Sequence, residues 1–312
     1  MTQQRIDTRT MTREEWLEAR RKGIGGSDAA AIVGLNPWAS AYELWADKMG
    51  LLPERPDSEA MRQGRDFEDY VASRFAEQEG VKVRRVNEII TSEAYPWAIA
   101  NIDRRIVGRD EGLECKTTSI MNLKKFRNGE FPTQYYVQCM HYMAVTGWSA
   151  MWLAVLVLNQ GFYVFRIERD EDEITALMEA EKTFWEEHIL ANVPPAPDGS
   201  DSVNEVQKAL YSTSEPELEI DLTPKLEALQ QLVETKKRIA ELEKEKSRLE
   251  QTIKDELQEA GKGRAEGFKI TWLQQERTSL DTKALQEALP AFDLAPYRKT
   301  TTFRTFTIKE VS

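Results

Sequence analysis

Cysteine is scarce in this chain: 312 residues contain two. Two thiols build neither a disulfide framework nor a four-thiolate metal site, which excludes disulfide-stapled secreted domains and structural zinc folds of that type. No apolar run reaches the length that a membrane span needs. The opening stretch, "MTQQRIDTRTMTREEW", is polar and acid-bearing, unlike a leader peptide. These absences predict a cytoplasmic protein with no membrane partner. Bulk positive charge is missing too. Residues 1–200 carry 24 Lys/Arg against 32 Asp/Glu, net −8, and residues 201–312 carry 18 against 21, net −3. A nucleic-acid-binding protein with this balance needs a local basic patch, with metal ions offsetting its own acids. Residues 115–129 supply such a stretch, with Lys116, Lys124, Lys125 and Arg127 and no acid.

What is present alternates between helical and strand-like segments, which predicts an α/β fold. Residues 12–22 read as a helix with a Thr12/Glu15 capping box. "GIGGSDAAAIVG" reads as a Gly-rich turn with a helix starting at Ser27 or Asp28. A helix carrying Tyr42, Leu44, Trp45 and Met49 follows. Residues 58–79 form a longer one, with Met61, Phe67, Val71 and Phe75 at a period near 3.6. "VKVRRVNEII", "WAIANIDRRIV" and "GLECKTT" are strand-type runs. A helix over 133–146, a hairpin "AMWLAVLVL"/"GFYVFRIE" and a helix over 170–191 complete this part. The first hairpin arm is apolar on both faces, as a central strand is.

The Pro/Gly/Ser-rich stretch "ANVPPAPDGSDS" (191–202) divides a domain over 1–200 from a C-terminal region over 201–312. There, residues 223–259 are uninterrupted helix, roughly 55 Å long at about 1.5 Å per residue. Leu226, Leu229 and Val233 form one apolar phase. Ile239, Leu242, Leu249 and Ile253 form another, which Lys246 breaks. A tail over 263–312 carries two strand-type runs, "GFKITWLQQ" and "TTFRTFTIKE", around a helix at 281–288.

The chemistry concentrates in "GLECKTTS". On a strand Glu114 and Lys116 share one face, with Leu113 and Cys115 on the other. The pair is either a surface ion pair or half of a metal-dependent active site. Asp103 lies eleven residues before Glu114, a spacing that fits two antiparallel strands joined by "RRIVGRDEG". The two carboxylates would then converge on one hard cation, which favours oxygen ligands, with Lys116 beside them to orient or help deprotonate a water. Glu68 on the preceding helix is a further acid for the metal or its surroundings. Lys124, Lys125 and Arg127, with Phe126 between, suit a loop over a nucleic-acid backbone or a solvated basic turn. Trp38, after Pro37, is the tryptophan best placed to wedge against a duplex end. His141 suits packing as well as proton transfer.

Six collinear segments carry a resemblance: "WLEARRKGIGGSDAAAIVG", "QGRDFEDYV", "NIDRR", "LECKT", "KFRNGEF" and "YVQCMHYM". Together they resemble the YqaJ viral recombinase family, whose relatives include the phage lambda-type exonuclease, and the acid–lysine pattern resembles the PD-(D/E)XK nuclease core. Asn101–Ile102 stands where that core often has Pro before the Asp. The resemblance implies a central mixed β-sheet flanked by helices. It implies two Mg2+ or Mn2+ ions per site, held by Asp103, Glu114, the Cys115 main-chain carbonyl and Glu68. It implies that Arg20 and Ser27 bind a 5′-terminal phosphate and that Gln138 holds the scissile phosphate or the attacking water. An Arg fork and a hydroxyl at a glycine-rich helix start suit an anion.

The expected function is a metal-dependent 5′→3′ double-strand DNA exonuclease in a bacterial or phage-infected host cell. By resemblance it would be a ring-shaped homotrimer that resects ends for a single-strand annealing protein. An endonuclease or flap nuclease of the same fold, and a catalytically silent end-binding assembly protein, are the alternatives.

Overall fold

Helix starts follow local hydrogen-bonding chemistry. Strand β1 (Gln3–Asp7) leads to helix α1 (Arg13–Arg21), where Thr12 accepts the Glu15 N–H and the Glu15 carboxylate takes the Thr12 N–H. After the short strand β2 (Ile24–Gly25), helix α2 (Gly26–Ile32) starts one residue earlier than its sequence suggests. Gly25 is the cap, and the Asp28 carboxylate reaches back to the Gly25 N–H at 2.9 Å. Ser27 therefore lies in the first turn with its hydroxyl released from capping. Ser40 caps α3 (Ala41–Lys48) and Ser58 caps α4 (Glu59–Glu79).

The structure is a computed structural model that describes residues 2–54, 56–289, 295–297, 299, 301 and 303–308. It divides into two compact units, Met1–Tyr211 and Ser212–Ser312.

In the first unit, two runs that look like single strands each split. "VKVRRVNEII" becomes β3 (Val83–Arg85) and β4 (Glu88–Ser92), and "WAIANIDRRIV" becomes β5 (Tyr95–Ala100) and β6 (Arg104–Ile106). The splits lie side by side, with the Val86 N–H on the Asp103 carbonyl at 3.2 Å. Here the hairpin passes from one sheet to another: β4 and β5 sit in a sheet of order β1-β4-β5-β2, while β3 and β6 join a second sheet. The second sheet adds β7 (Glu111–Thr118), then, after a 3-10 turn (Ile120–Phe126) and α5 (Thr133–Thr146), β8 (Ala150–Val157) and β9 (Gly161–Glu168). Its order is β3-β6-β7-β8-β9, antiparallel except for the parallel pair β7–β8. This is the mixed, helix-flanked α/β arrangement expected of a PD-(D/E)XK core.

Strand β8 is covered on both faces. Met151, Leu153, Val155 and Val157 meet the α5 side of the core, and Ala154 and Leu156 meet Val71, Ala72 and Phe75 of α4. Each such buried aliphatic or aromatic side chain contributes roughly 1.5–3 kcal/mol relative to exposure. On α4, Val71 and Phe75 are in the core, whereas Met61 and Phe67 at its N-terminal end are exposed. Helix α6 (Glu171–Phe184) continues as a π-helical segment to Leu190. Helix α7 (Asp201–Leu210) lies past the Pro-rich stretch yet belongs to this unit. Its Val203 and Val206 are buried with Tyr42, Trp45 and Phe184, and Ser202 bonds Ser40 and Glu43. The unit thus extends eleven residues beyond position 200, because an amphipathic helix closes over α3.

The second unit is built on α8 (Leu226–Leu257), preceded by a 3-10 turn and holding no buried residue. A hairpin of β10 (Lys262–Ala265) and β11 (Phe268–Thr271) and the short α9 (Thr282–Ala288) follow. Of the run "TTFRTFTIKE", residues 302, 309 and 310 lie outside the described residues, and residues 303–308 form no strand.

Candidate active site

The β6–β7 ladder pairs Arg104 with Leu113 and Arg105 with Gly112. One step further along this antiparallel register Asp103 lies opposite Glu114. Asp103 Oδ2 accepts the Cys115 N–H at 2.8 Å, which fixes its carboxylate against β7. Burial pushes the Asp103 carboxyl well above the usual range. The neighbouring charges of Glu114 and Glu68 push the same way, and Lys116 and the Cys115 N–H only partly oppose them.

Alternation along β7 sends Leu113 into the core with α4 and turns Glu114 and Lys116 toward α5. Glu114 Oε1 accepts two hydrogen bonds, from Lys116 Nζ at 2.6 Å and Gln138 Nε2 at 2.7 Å. Its other oxygen, Oε2, is buried and has no hydrogen-bond partner. Burial works against the Lys116 ammonium, but Glu114 and Asp103 outweigh it and raise its pKa. The ammonium also lies 5.3 Å from the Tyr135 ring centre. Cys115 is half-buried on the opposite face, and burial raises its thiol far above neutrality, so it is no nucleophile at ordinary pH.

A divalent cation suits these groups. Two neighbouring carboxylates, one with its pKa raised by burial and by the charge of the other, and the other with an orphaned buried oxygen, form an incomplete oxygen site. Among the described residues no three His, Cys, Asp or Glu side chains form a ligand set by themselves. The remaining donors must be main-chain carbonyl, water or substrate oxygens. Glu68 is near enough to perturb Asp103, but its carboxylate is engaged by the buried Arg104 guanidinium, which also holds Asp69.

Arg20 and Ser27 also come together. Arg20 Nη2 donates to Ser27 Oγ at 2.8 Å, and its guanidinium lies 5.0 Å from the Trp16 ring centre. Both line a groove beside Asp28, and the groove connects to the acid pair through close packing. A Cβ on Gly26 would stand 2.5 Å from the Tyr142 ring, so only glycine lets α2 approach α5 there. The Tyr142 hydroxyl in turn accepts from Gln138 Nε2 at 2.9 Å. Gly26, Tyr142, Gln138 and Glu114 therefore form a continuous path from one candidate subsite to the other.

Lys124, Lys125 and Arg127 are exposed on and just after the 3-10 turn that leaves β7, while Phe126 is buried. Of the three, Lys125 approaches the exposed Trp38, 5.9 Å from its ring centre. His141 lies apart, fully buried. Its Nε2–H donates to the Ile99 carbonyl at 2.9 Å, and its Nδ1 shares a proton with Glu181 at 2.7 Å.

Three contributors escape a reading of the sequence. Lys48 is 3% exposed and donates to Asp28 Oδ2 (2.7 Å) and to the carbonyls of Arg20 (2.9 Å) and Gly23 (2.7 Å). Burial would raise the Asp28 carboxyl, but Lys48, then Arg20, hold it at about 2. Tyr142 was legible in principle, since it stands four residues after Gln138 and shares its helix face. Nothing local marks Lys48 or Arg104.

A family description, the YqaJ-like viral recombinase domain, matches residues 15–149, a span that contains every group just described around the acid pair and the Arg20 groove. The uncharacterized protein YqaJ of Bacillus subtilis (strain 168) is 41% identical over 306 residues, 97% of this chain and 96% of that protein. Among solved structures, an alkaline exonuclease from Laribacter hongkongensis, also crystallised with dAMP, aligns with a TM-score of 0.49 and 21% identity. That alignment covers 57% of this chain and 93% of the other. A phage-related exonuclease from Haemophilus somnus 129PT aligns with a TM-score of 0.42 and 12% identity, over 55% and 96% of the two chains.

Proposed function

The chain belongs to the YqaJ-like viral recombinase family, and we propose that it is a metal-dependent nuclease that degrades double-stranded DNA from its ends in the 5′→3′ direction. The observation that carries this reading is the acid pair: Asp103, held on the Cys115 N–H next to Glu114 and within reach of the Glu114 charge, with an unpartnered buried oxygen on Glu114. Left alone, two enclosed carboxylates repel each other and destabilise the fold. A hard cation held by the two would remove that cost.

Asp103, Glu114 and the Cys115 main-chain carbonyl would hold Mg2+ or Mn2+, and Glu68 would serve a second ion only by sharing its carboxylate with Arg104. When bound, such an ion polarises a phosphoryl oxygen and makes water a competent nucleophile near neutral pH. The chain's own groups position and neutralise. Lys116, hydrogen-bonded to Glu114, would orient water and offset charge developing on the phosphoryl oxygens. Gln138 braces the Glu114 oxygen that Lys116 shares and takes its own alignment from Tyr142.

The exonuclease mode rests on the second subsite. A terminal phosphate seated on Arg20 and the Ser27 hydroxyl would stand at a fixed remove from the acid pair, set by the packed path through Gly26 and Tyr142. The exposed Lys124, Lys125 and Arg127 would follow the backbone, with Trp38 beside Lys125. The family resemblance adds a homotrimeric ring and an annealing protein as the recipient of the resected strand.

Digestion of linear duplex tests the reading. With Mg2+, a 5′-phosphorylated end is degraded faster than a 5′-hydroxyl end, and EDTA stops both. A covalently closed circle cut as fast as linear duplex would transfer the assignment to an endonuclease. Equal rates at the two ends would remove the role of Arg20 and Ser27.

A further inference from the structure

Strands β3 and β6 carry four arginines in two opposed pairs, Arg84 with Arg105 and Arg85 with Arg104. Directly opposed residues share a sheet face, and successive pairs alternate between faces. On the face toward α4 the pair is fully matched, since Glu68 and Asp69 neutralise Arg85 and Arg104. The other pair has no match. Arg84 and Arg105 are exposed, and neither has an ion-pair partner among the described residues. Like charges placed directly opposite each other destabilise a sheet. A chain with net charge −11 and 53 acids nevertheless leaves these two guanidinium groups unneutralised.

They line a cavity of about 140 Å3 between the two sheets, together with Arg5, Arg9, Asn87, Trp148 and Arg85, whose guanidinium is already held by Glu68 and Asp69. That is several times the ~10–15 Å3 that one water requires. The acids at its edge are already used: Asp7 is clasped by Arg9 and Glu88 by Arg5 at 3.1 Å. The floor is the bend between β3 and β4, where the Thr8 N–H holds the Asn87 carbonyl and the Val86 N–H holds the Asp103 carbonyl. The cavity therefore backs onto the main chain of Asp103, and Lys124, Lys125 and Arg127 are not among the residues that line it.

We propose that Arg84 and Arg105 form a second phosphodiester-binding site, which takes a backbone phosphate of the nucleic acid beyond the cleavage centre. Two guanidinium forks held in strand register match the oxygens of one phosphate, and an anion between them removes the repulsion that the fold otherwise carries. The identity of the anion as nucleic acid rests on the nuclease reading. The site itself rests on the strand register and the unmatched charge.

The test uses the full chain in EDTA, with fluorescence anisotropy of a labelled duplex and its single strand across a salt series. Arg84→Gln/Arg105→Gln should raise Kd about tenfold or more and reduce the slope of log Kd against log salt by about 1–2. Its melting temperature should equal or exceed wild type. Arg84→Lys/Arg105→Lys should recover part of the affinity. The charge control Lys182→Gln/Lys208→Gln, which removes two exposed cations elsewhere, should change Kd by no more than about twofold.

An unchanged Kd and slope in the folded Gln variant, with wild-type cleavage intact, overturns the proposal and leaves the nuclease reading standing. Failure of wild type to bind either strand form sinks the nuclease reading instead. A third arm adds inorganic phosphate at constant ionic strength. If phosphate raises the melting temperature of wild type but not of the Gln variant, while oligonucleotide affinity is the same for both, the cavity binds free anions and the nucleic-acid assignment is overturned.

Discussion

The acid–lysine cluster of the first unit and the long helix α8 of the second are both rich in charge, yet the charges are under opposite physical conditions. Around the cluster, side chains such as Lys48, Arg104 and Glu114 are 3–4% exposed and each is tied to named partners. Along α8 no residue is buried, and its ion pairs, Lys246–Glu250 at 3.7 Å and Lys254–Glu250 at 3.8 Å, stand in solvent. A charge taken out of water costs several kcal/mol unless partners replace its hydration, whereas an exposed one costs almost nothing. Substitutions of similar chemistry should therefore have very different consequences in the two regions, and the contrast can be broken from either side.

The largest effect is expected at the acid pair. Glu114→Gln keeps the shape and the Lys116 and Gln138 contacts within reach but removes the carboxylate. Cleavage of linear duplex should fall at least about 1,000-fold, or about 4 kcal/mol of transition-state stabilisation, while duplex binding in EDTA persists. Single-turnover digestion measures it. A residual rate within tenfold of wild type would make the cluster a structural ion pair, no different in kind from those of α8.

Next is Lys48→Met, which leaves Asp28 and two carbonyls without their buried donor. Loss of one member of a buried pair typically costs about 3–5 kcal/mol, read here as a lowered urea midpoint. Because Lys48 pins the carbonyl of Arg20, the preference for 5′-phosphorylated ends should fall as well. Stability lost with the end preference intact would separate the groove's folding role from ligand binding.

A smaller effect follows from Asp28 itself. Its carboxyl is held at about 2, below the ordinary 3.8, so it contributes stability that is fully present above the unfolded value. That contribution, roughly 2 kcal/mol, is lost as pH falls from about 4 through about 2. Urea titrations across that window should show wild type losing more stability than Asp28→Asn. Parallel curves for the two proteins would show that the Lys48–Asp28 pair behaves like a solvated one.

How much of this was legible beforehand depended on whether the partner of each charge was local. The spacing from Asp103 to Glu114 suggested adjacent antiparallel strands, which the β6–β7 ladder supplies, but the residues alone left the acids open between an ion pair and a metal site, and only the family resemblance favoured the latter. The helix over 133–146 followed from periodicity, whereas Gln138 was marked only by the family resemblance. Lys48 was illegible because its partners, Arg20, Gly23 and Asp28, lie twenty or more residues earlier and meet it only through packing of α3 against that segment. The doublets "RR" at 84–85 and 104–105 looked alike in sequence. Only the strand register divides them into a matched pair and an unmatched one. The split of "WAIANIDRRIV" was hidden for a related reason: both halves are strand-like, and what breaks them is the passage between two sheets. The Pro/Gly-rich stretch marks where the chain turns, not where its next helix packs, so α7 falls on the near side of the division.

The smallest effect is expected on α8 and is informative for that reason. Glu250 sits four residues from both Lys246 and Lys254 and pairs with each. Glu250→Gln should nevertheless shift stability by no more than about 0.5 kcal/mol, and high salt should abolish the difference, because exposed pairs are screened and pay side-chain entropy. The same helix leaves Ile239, Leu242, Leu249 and Ile253 about half exposed. If the loss instead exceeds about 1 kcal/mol and grows with protein concentration, α8 is not a solvated arm in solution. Its charges would then flank an apolar seam that another helix covers, and they would belong with the buried charges of the first unit.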